Sequence, residues 1–129
     1  MTAGGIAGLR RVTATHLAAA EARLAALQQR EKAIIARLAA LDAAYCRRAA
    51  ERTAEDVALR AGVDLRWETW GETHRRALQG AQARLRVVQE HERAALRRAF
   101  GRDMVVAELA AQSLRAAQRT AARRAASGE

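Results

Sequence analysis

The stretch ALRAGVDLRWETWGETHRR, residues 58–76, decides the fold. Within it, RAGVD is the one place where a chain of helix formers carries stop and start signals together. Gly62 can take the left-handed conformation that ends a helix, and Val63 can cover the preceding turn. Asp64 can accept hydrogen bonds from the first free amides of a new helix. Glu68 and Glu72 follow, where the dipole of that helix favours negative charge. A turn at about 61–65 thus separates a first helix over about 6–60 from a second over about 66–116.

Working outward, the rest of the chain agrees with this division. Proline is absent, aromatics are 3 % of 129 residues, and the apolar half is dominated by alanine and leucine. These residues, with arginine, glutamate and glutamine, lose least on entering a helix, so the expected class is all-α in a single domain. So few bulky side chains cannot fill a wide core, whereas they suit the thin seam of a coiled coil.

A heptad frame fits the first helix from Ile6 to Tyr45. Leu17, Leu24, Leu38 and Tyr45 take one core position, while Ile6, Thr13, Ala20, Leu27, Ile34 and Leu41 take the other, with Glu31 the only interruption. The frame then meets Arg48, Arg52 and Glu55, and the seam weakens. The second helix carries a looser stripe through Leu78, Ala81, Leu85, Val88, Ala95, Ala99, Val106 and Leu109. Gly71 and Gly80 each cost it about 1 kcal/mol relative to alanine, so packing must hold the segment helical. A kink or break is expected at Gly101, and a frayed basic tail over 117–129. Folding about Gly62 and Val63 makes residues whose numbers sum to about 126 face one another, with Leu41 on Leu85, Leu38 on Val88, Leu17 on Leu109 and Leu59 on Trp67. The implied antiparallel two-helix coiled-coil hairpin has arms of about 50 residues and a length of roughly 75 Å.

Trp67 and Trp70 sit one turn apart at the tip of this hairpin. They can close the end of the seam against Leu59 and Val57, or anchor a partner, since tryptophan is favoured in interfaces. Both readings are open from the sequence.

Catalytic chemistry finds no foothold in these residues. His16, His74 and His91 are too far apart for a helical His-x-x-x-His pair, and Cys46 is alone, so neither a metal site nor a disulfide is expected. Glu51 with Glu55 and Glu68 with Glu72 stand on open helices with no pocket to raise a pKa. Ser113 and Ser127 lie far from any histidine, and there is no glycine-rich phosphate loop. The expectation is a non-enzymatic protein without cofactors. The lone cysteine suits a reducing compartment, and no signal peptide or membrane span is recognisable, so a cytoplasmic location is expected.

Net charge is +9, carried almost entirely by arginine, which attracts acidic protein surfaces, nucleic acid or anionic membrane. Arg115, Arg119 and Arg123 recur every four residues and line one helix face, joined by Arg124 and, further up, by Arg97, Arg98 and Arg102. Like charges at that spacing repel by a few tenths of a kcal/mol per pair, which an acidic partner would relieve. The alternative is a solubilising end in an arginine-rich proteome.

The segment WETWGETHRRALQGAQARLRVVQEHERAALRRAFGRDMVVAELAAQSLRAAQR, with its arginine and glutamate rhythm and the acidic residues Asp103 and Glu108 ahead of a basic tail, resembles the second helix of the FliJ family. FliJ proteins and their YscO-like relatives serve flagellar export and type III secretion, and the likeness in length and heptad layout covers most of the chain. It implies a stalk that enters the pore of a hexameric export ATPase and couples it to the membrane export gate, peripheral to the inner membrane. Arg115, Arg119 and Arg123 would then meet acidic pore surfaces. Two other readings compete with this one. A coiled coil that binds nucleic acid would use the same arginines, although it has no recognition motif and no aromatics within the basic run. A generic coiled-coil adaptor is the third possibility, because the Leu17–Leu41 seam can pair within the chain or with a second copy. Membrane insertion is not expected of a basic tail that has no large apolar face.

Overall fold

A computed structural model describes residues 2–128, and every regular element among them is helical. Helix α1 spans Ala3–Glu51, α2 spans Val57–Arg60 and α3 spans Val63–Ala126. Helices α1 and α3 pack against each other in opposite directions, the all-α helical hairpin that the heptad pattern predicts. The chain divides into two compact units. The central unit is Ala25–Glu90, and the terminal unit joins the residues up to Leu24 with those from His91 onward.

The first-helix frame holds residue by residue. In the terminal unit Ile6, Thr13 and Ala20 are buried and Leu17 and Leu24 half-buried; in the central unit Leu27 and Leu41 are buried and Ile34, Leu38 and Tyr45 half-buried. On α3, Leu78 in the central unit and Ala99 and Val106 in the terminal unit are buried, and Leu85 is half-buried.

The register differs from the expected one. In the central unit Glu31 meets Arg86 and Asp42 meets Arg75, and in the terminal unit Thr13 meets Asp103 and Arg23 meets Glu92, so facing numbers add to about 116 in each unit and not to about 126. The cause lies in the connection. Helix α1 stops at Glu51, short of residue 60, and the chain spends 52–62 on a turn and the four-residue α2 before α3 starts at Val63. Asp56 makes this happen, because its carboxylate accepts hydrogen bonds from the amides of Ala58 (3.0 Å) and Leu59 (3.3 Å) and so caps α2.

Gly62 has the positive φ expected of it, at 75°. Its carbonyl accepts the Arg66 amide at 3.2 Å, so Gly62 occupies the position before the first turn of α3. Asp64 therefore does not take the capping role expected of it. Asp64 points inward, 5 % exposed, and takes a bidentate pair of hydrogen bonds from Arg48, from Nε at 2.9 Å and from Nη2 at 2.8 Å.

Val88 and Leu109 leave the expected core and stand 45 % and 42 % exposed. The second inward column of α3 is instead largely polar: Arg75, Gln82, Gln89 and Asp103 fall at multiples of seven, with half-buried Leu96 between the last two, and the four reach α1 through hydrogen bonds or ion pairs. Gly101 does not end the helix, which continues through it to Ala126. Residues 117–126, expected to fray, continue α3 with every side chain exposed, held by the helix propensity of alanine, arginine and glutamine.

Candidate functional site

The arginines singled out in the sequence all lie in the terminal unit. Arg97, Arg98 and Arg102 are exposed, and so are Arg115, Arg119, Arg123 and Arg124. Among the described residues only Arg115 of this set has an ion pair, with Glu108 at 3.1 Å, leaving six guanidinium groups with no carboxylate. From 114 onward every described residue is exposed. Arg115, Arg119 and Arg123 thus form a cationic ladder on a helix that buries nothing there, which is charge available to a partner.

The acidic residues ahead of the tail are separated by the fold. Asp103 faces inward and accepts the Thr13 hydroxyl at 3.0 Å, while Glu108 faces outward to Gln112 and Arg115. Only Glu108 remains at the surface with the basic ladder.

Two adjoining grooves run beside the α1·α3 contact of the terminal unit. His16, Arg23, Arg98 and Arg102 stand over a floor of Ala19, Ala95 and Ala99 in the first. Leu9, Thr13, Gly101, Val105 and Val106 line the second, which shares Arg102 with the first. Neither was visible in the sequence, because the expected register placed other residues together. Phe100, between Arg98 and Arg102 in sequence, is also exposed.

The tip belongs to the central unit, and its two tryptophans part company. Trp67 is half-buried with its ring 4.9 Å from that of Tyr45, whose hydroxyl donates to the carbonyl of Glu68 at 2.8 Å. Trp70 is 58 % exposed and stacks on His74 at 5.3 Å. Trp67 therefore closes the seam, though against Tyr45 and not against Leu59 or Val57, both of which are exposed. Val57, Leu59, Val63, Leu65 and Trp70 present apolar surface around the connection.

Charge organises the same region. Arg48 joins Asp64 to Asp56 (2.8 Å), and Arg52 pairs with Asp64 (3.4 Å) and with Glu68. Hydrogen bonds from Arg48 hold both aspartates below their ordinary carboxylate value, against the opposing effect of burial, and the two aspartates raise the pKa of Arg48. Along the seam, Gln89, Arg86 and Gln82 converge on Glu31 and lower its pKa, with Gln89 first in effect. Arg75 lies 5.5 Å over the Tyr45 ring while pairing with Asp42, which raises its pKa.

Cys46 is a free, exposed thiol. Among the described residues no group of three or more histidine, cysteine or acidic side chains is arranged to hold a metal, and no helix is long and apolar enough to cross a membrane. No protein-family model matches the chain, and neither a curated protein nor a solved structure is detectably similar to it.

Proposed function

We propose that this chain is a non-enzymatic interaction hairpin that binds an acidic protein surface through the arginines of its terminal unit. Within that reading it is a cytoplasmic stalk of a flagellar-type export apparatus, peripheral to the inner membrane, that engages the hexameric export ATPase and couples it to the export gate. The observation that carries the proposal is the exposed cationic ladder, in which Arg119 and Arg123 have no ion pair among the described residues. Guanidinium groups set four apart on one helix face can bind carboxylates bidentately, and they relieve their mutual repulsion by doing so. The helical hairpin adds support, since it is the architecture that the FliJ-like rhythm implies.

A second reading has one specific observation in its favour. Phe100 is 53 % exposed one helical turn from the exposed Arg97, an arrangement on which a nucleic-acid base can stack while the arginine meets phosphate. Competition separates the two. The purified protein is tested for co-elution with the export ATPase of its own organism, with fluorescent single-stranded nucleic acid at equal salt as rival ligand. The stalk reading predicts a complex with the ATPase and increased hexamer formation or hydrolysis. Tight, steeply salt-dependent binding to nucleic acid alone contradicts it.

A further inference from the structure

The paired grooves of the terminal unit have a chemistry of their own. One end carries His16, Arg23, Arg98 and Arg102 above alanines; the other is lined by Leu9, Val105 and Val106 and is almost wholly apolar. They meet at Arg102, whose side chain lines both. On α3, Arg98, Arg102 and Val105 follow at spacings of four and three, one flank of the helix immediately beside the buried Ala99 and Val106. Such a trough beside two packed helices fits a third helix.

Gly101 sharpens the point. It lies inside a continuous helix at a cost of about 1 kcal/mol relative to alanine, and a Cβ built on it meets nothing of this chain within 4 Å. The space it leaves opens into the apolar groove. Packing within the chain does not require a glycine there, and the open space is available to a side chain from outside.

We infer that these grooves are a docking site for an acidic amphipathic helix of a partner protein, its leucine-type face in the Leu9–Val105–Val106 groove and its carboxylates on Arg98 and Arg102. A second copy of this chain is the poorer occupant, since it brings a net charge of +9 to a cationic trough. Of the cations in the trough, Arg23 is already shared with Glu92 at 3.1 Å, which leaves Arg98 and Arg102 as the carboxylate partners. The inference rests on the proposal that the terminal unit binds an acidic protein, and adds where and by what kind of element.

The test uses the full chain and a labelled synthetic peptide of glutamate and leucine, with the leucines at i, i+3, i+4 and i+7 of a helix. Its control has the same composition with the leucines scattered. Fluorescence anisotropy is expected to show the patterned peptide binding about tenfold or more tightly than the scattered one. Val105→Glu and Gly101→Leu should each weaken it by about tenfold, as should Arg98→Glu with Arg102→Glu, while Val87→Glu, at an exposed site of the central unit, leaves it unchanged. Helix content by circular dichroism verifies that each variant is folded, and Gly101→Leu adds bulk where the chain has none to displace. Equal affinity for both peptides, indifference to Val105→Glu and Gly101→Leu, or preference for an oligonucleotide would each overturn the docking site. Co-elution with the ATPase is scored separately, so the groove can hold where the stalk reading fails, and the reverse.

Discussion

Tyr45 and Gly71 decide how the tip is built. The Tyr45 hydroxyl crosses to α3 and donates to the Glu68 carbonyl, and a Cβ on Gly71 would overlap the tyrosine ring and hydroxyl. The ring cannot easily retreat, because Trp67 and Arg75 pack on it. Gly71→Ala is therefore expected to destabilise the fold by about 1–3 kcal/mol, outweighing the roughly 1 kcal/mol that alanine offers a helix. Urea denaturation checks this, and adding Tyr45→Leu should recover part of the loss. The Arg48 cluster makes a second prediction. Asp56 and Asp64 have pKa values lowered by Arg48, so their contribution is fully present above the ordinary aspartate value of 3.8 and lost as pH falls through the lower folded values. Stability should decline as pH drops below about 4, and Asp64→Asn should flatten that decline, with the fluorescence of Trp67 and Trp70 reporting the tip.

At the scale of the elements, the seam is apolar on α1 and half polar on α3, and the polar column sets the register. Gln89 is 1 % exposed, donating to the Leu27 carbonyl (3.4 Å) and to Glu31 (2.8 Å). Gln89→Ala should cost about 1–3 kcal/mol for the lost hydrogen bonds. Leu78→Ala should cost about 2–5 kcal/mol, whereas Val88→Ala, at a half-exposed flank, should change stability by about 0.5 kcal/mol or less. Chemical denaturation of the Leu78→Ala and Val88→Ala variants thus distinguishes the observed register from one in which Val88 is core. The first helix was legible because its two inward columns are apolar from Ile6 to Tyr45 except at Thr13 and Glu31, and a period of seven in such residues has one interpretation. The second was misread because Ala81, Val88, Ala95 and Leu109 also recur at multiples of seven, one position away from a column of Arg75, Gln82, Gln89 and Asp103. Apolar periodicity cannot find a column that is held by hydrogen bonds. Glu31, the lone interruption on α1, was the available signal, since a carboxylate inside a seam demands polar partners opposite. The turn was half legible: Gly62 was found, but an aspartate can cap a helix or bind an arginine, and Asp56 and Asp64 divided those roles contrary to expectation.

For the whole molecule, the residues that hold the fold and those offered to a partner are largely separate sets. Buried Leu27, Leu41 and Leu78, the two glutamines and the Arg48 cluster hold the central unit, and Ile6, Ala20, Ala99, Val106 and the Thr13–Asp103 hydrogen bond hold the terminal one, while Arg97, Arg98, Arg102, Arg119, Arg123 and Arg124 have no ion pair among the described residues. The arginine ladder was legible from its spacing alone; the grooves at residues 95–106 depended on a register that spacing did not reveal. Reversing charge on exposed tail positions should accordingly leave the melting temperature within a few degrees of the parent, since surface changes of this kind are worth about 0.5 kcal/mol or less. The measurement that bears most directly on the proposed role is the affinity of the export ATPase for the parent chain and for the variant combining Arg115→Glu, Arg119→Glu and Arg123→Glu, at one fixed salt concentration. The account predicts that the parent binds and that the folded variant binds about tenfold more weakly or not at all. Undiminished binding by the variant would contradict it.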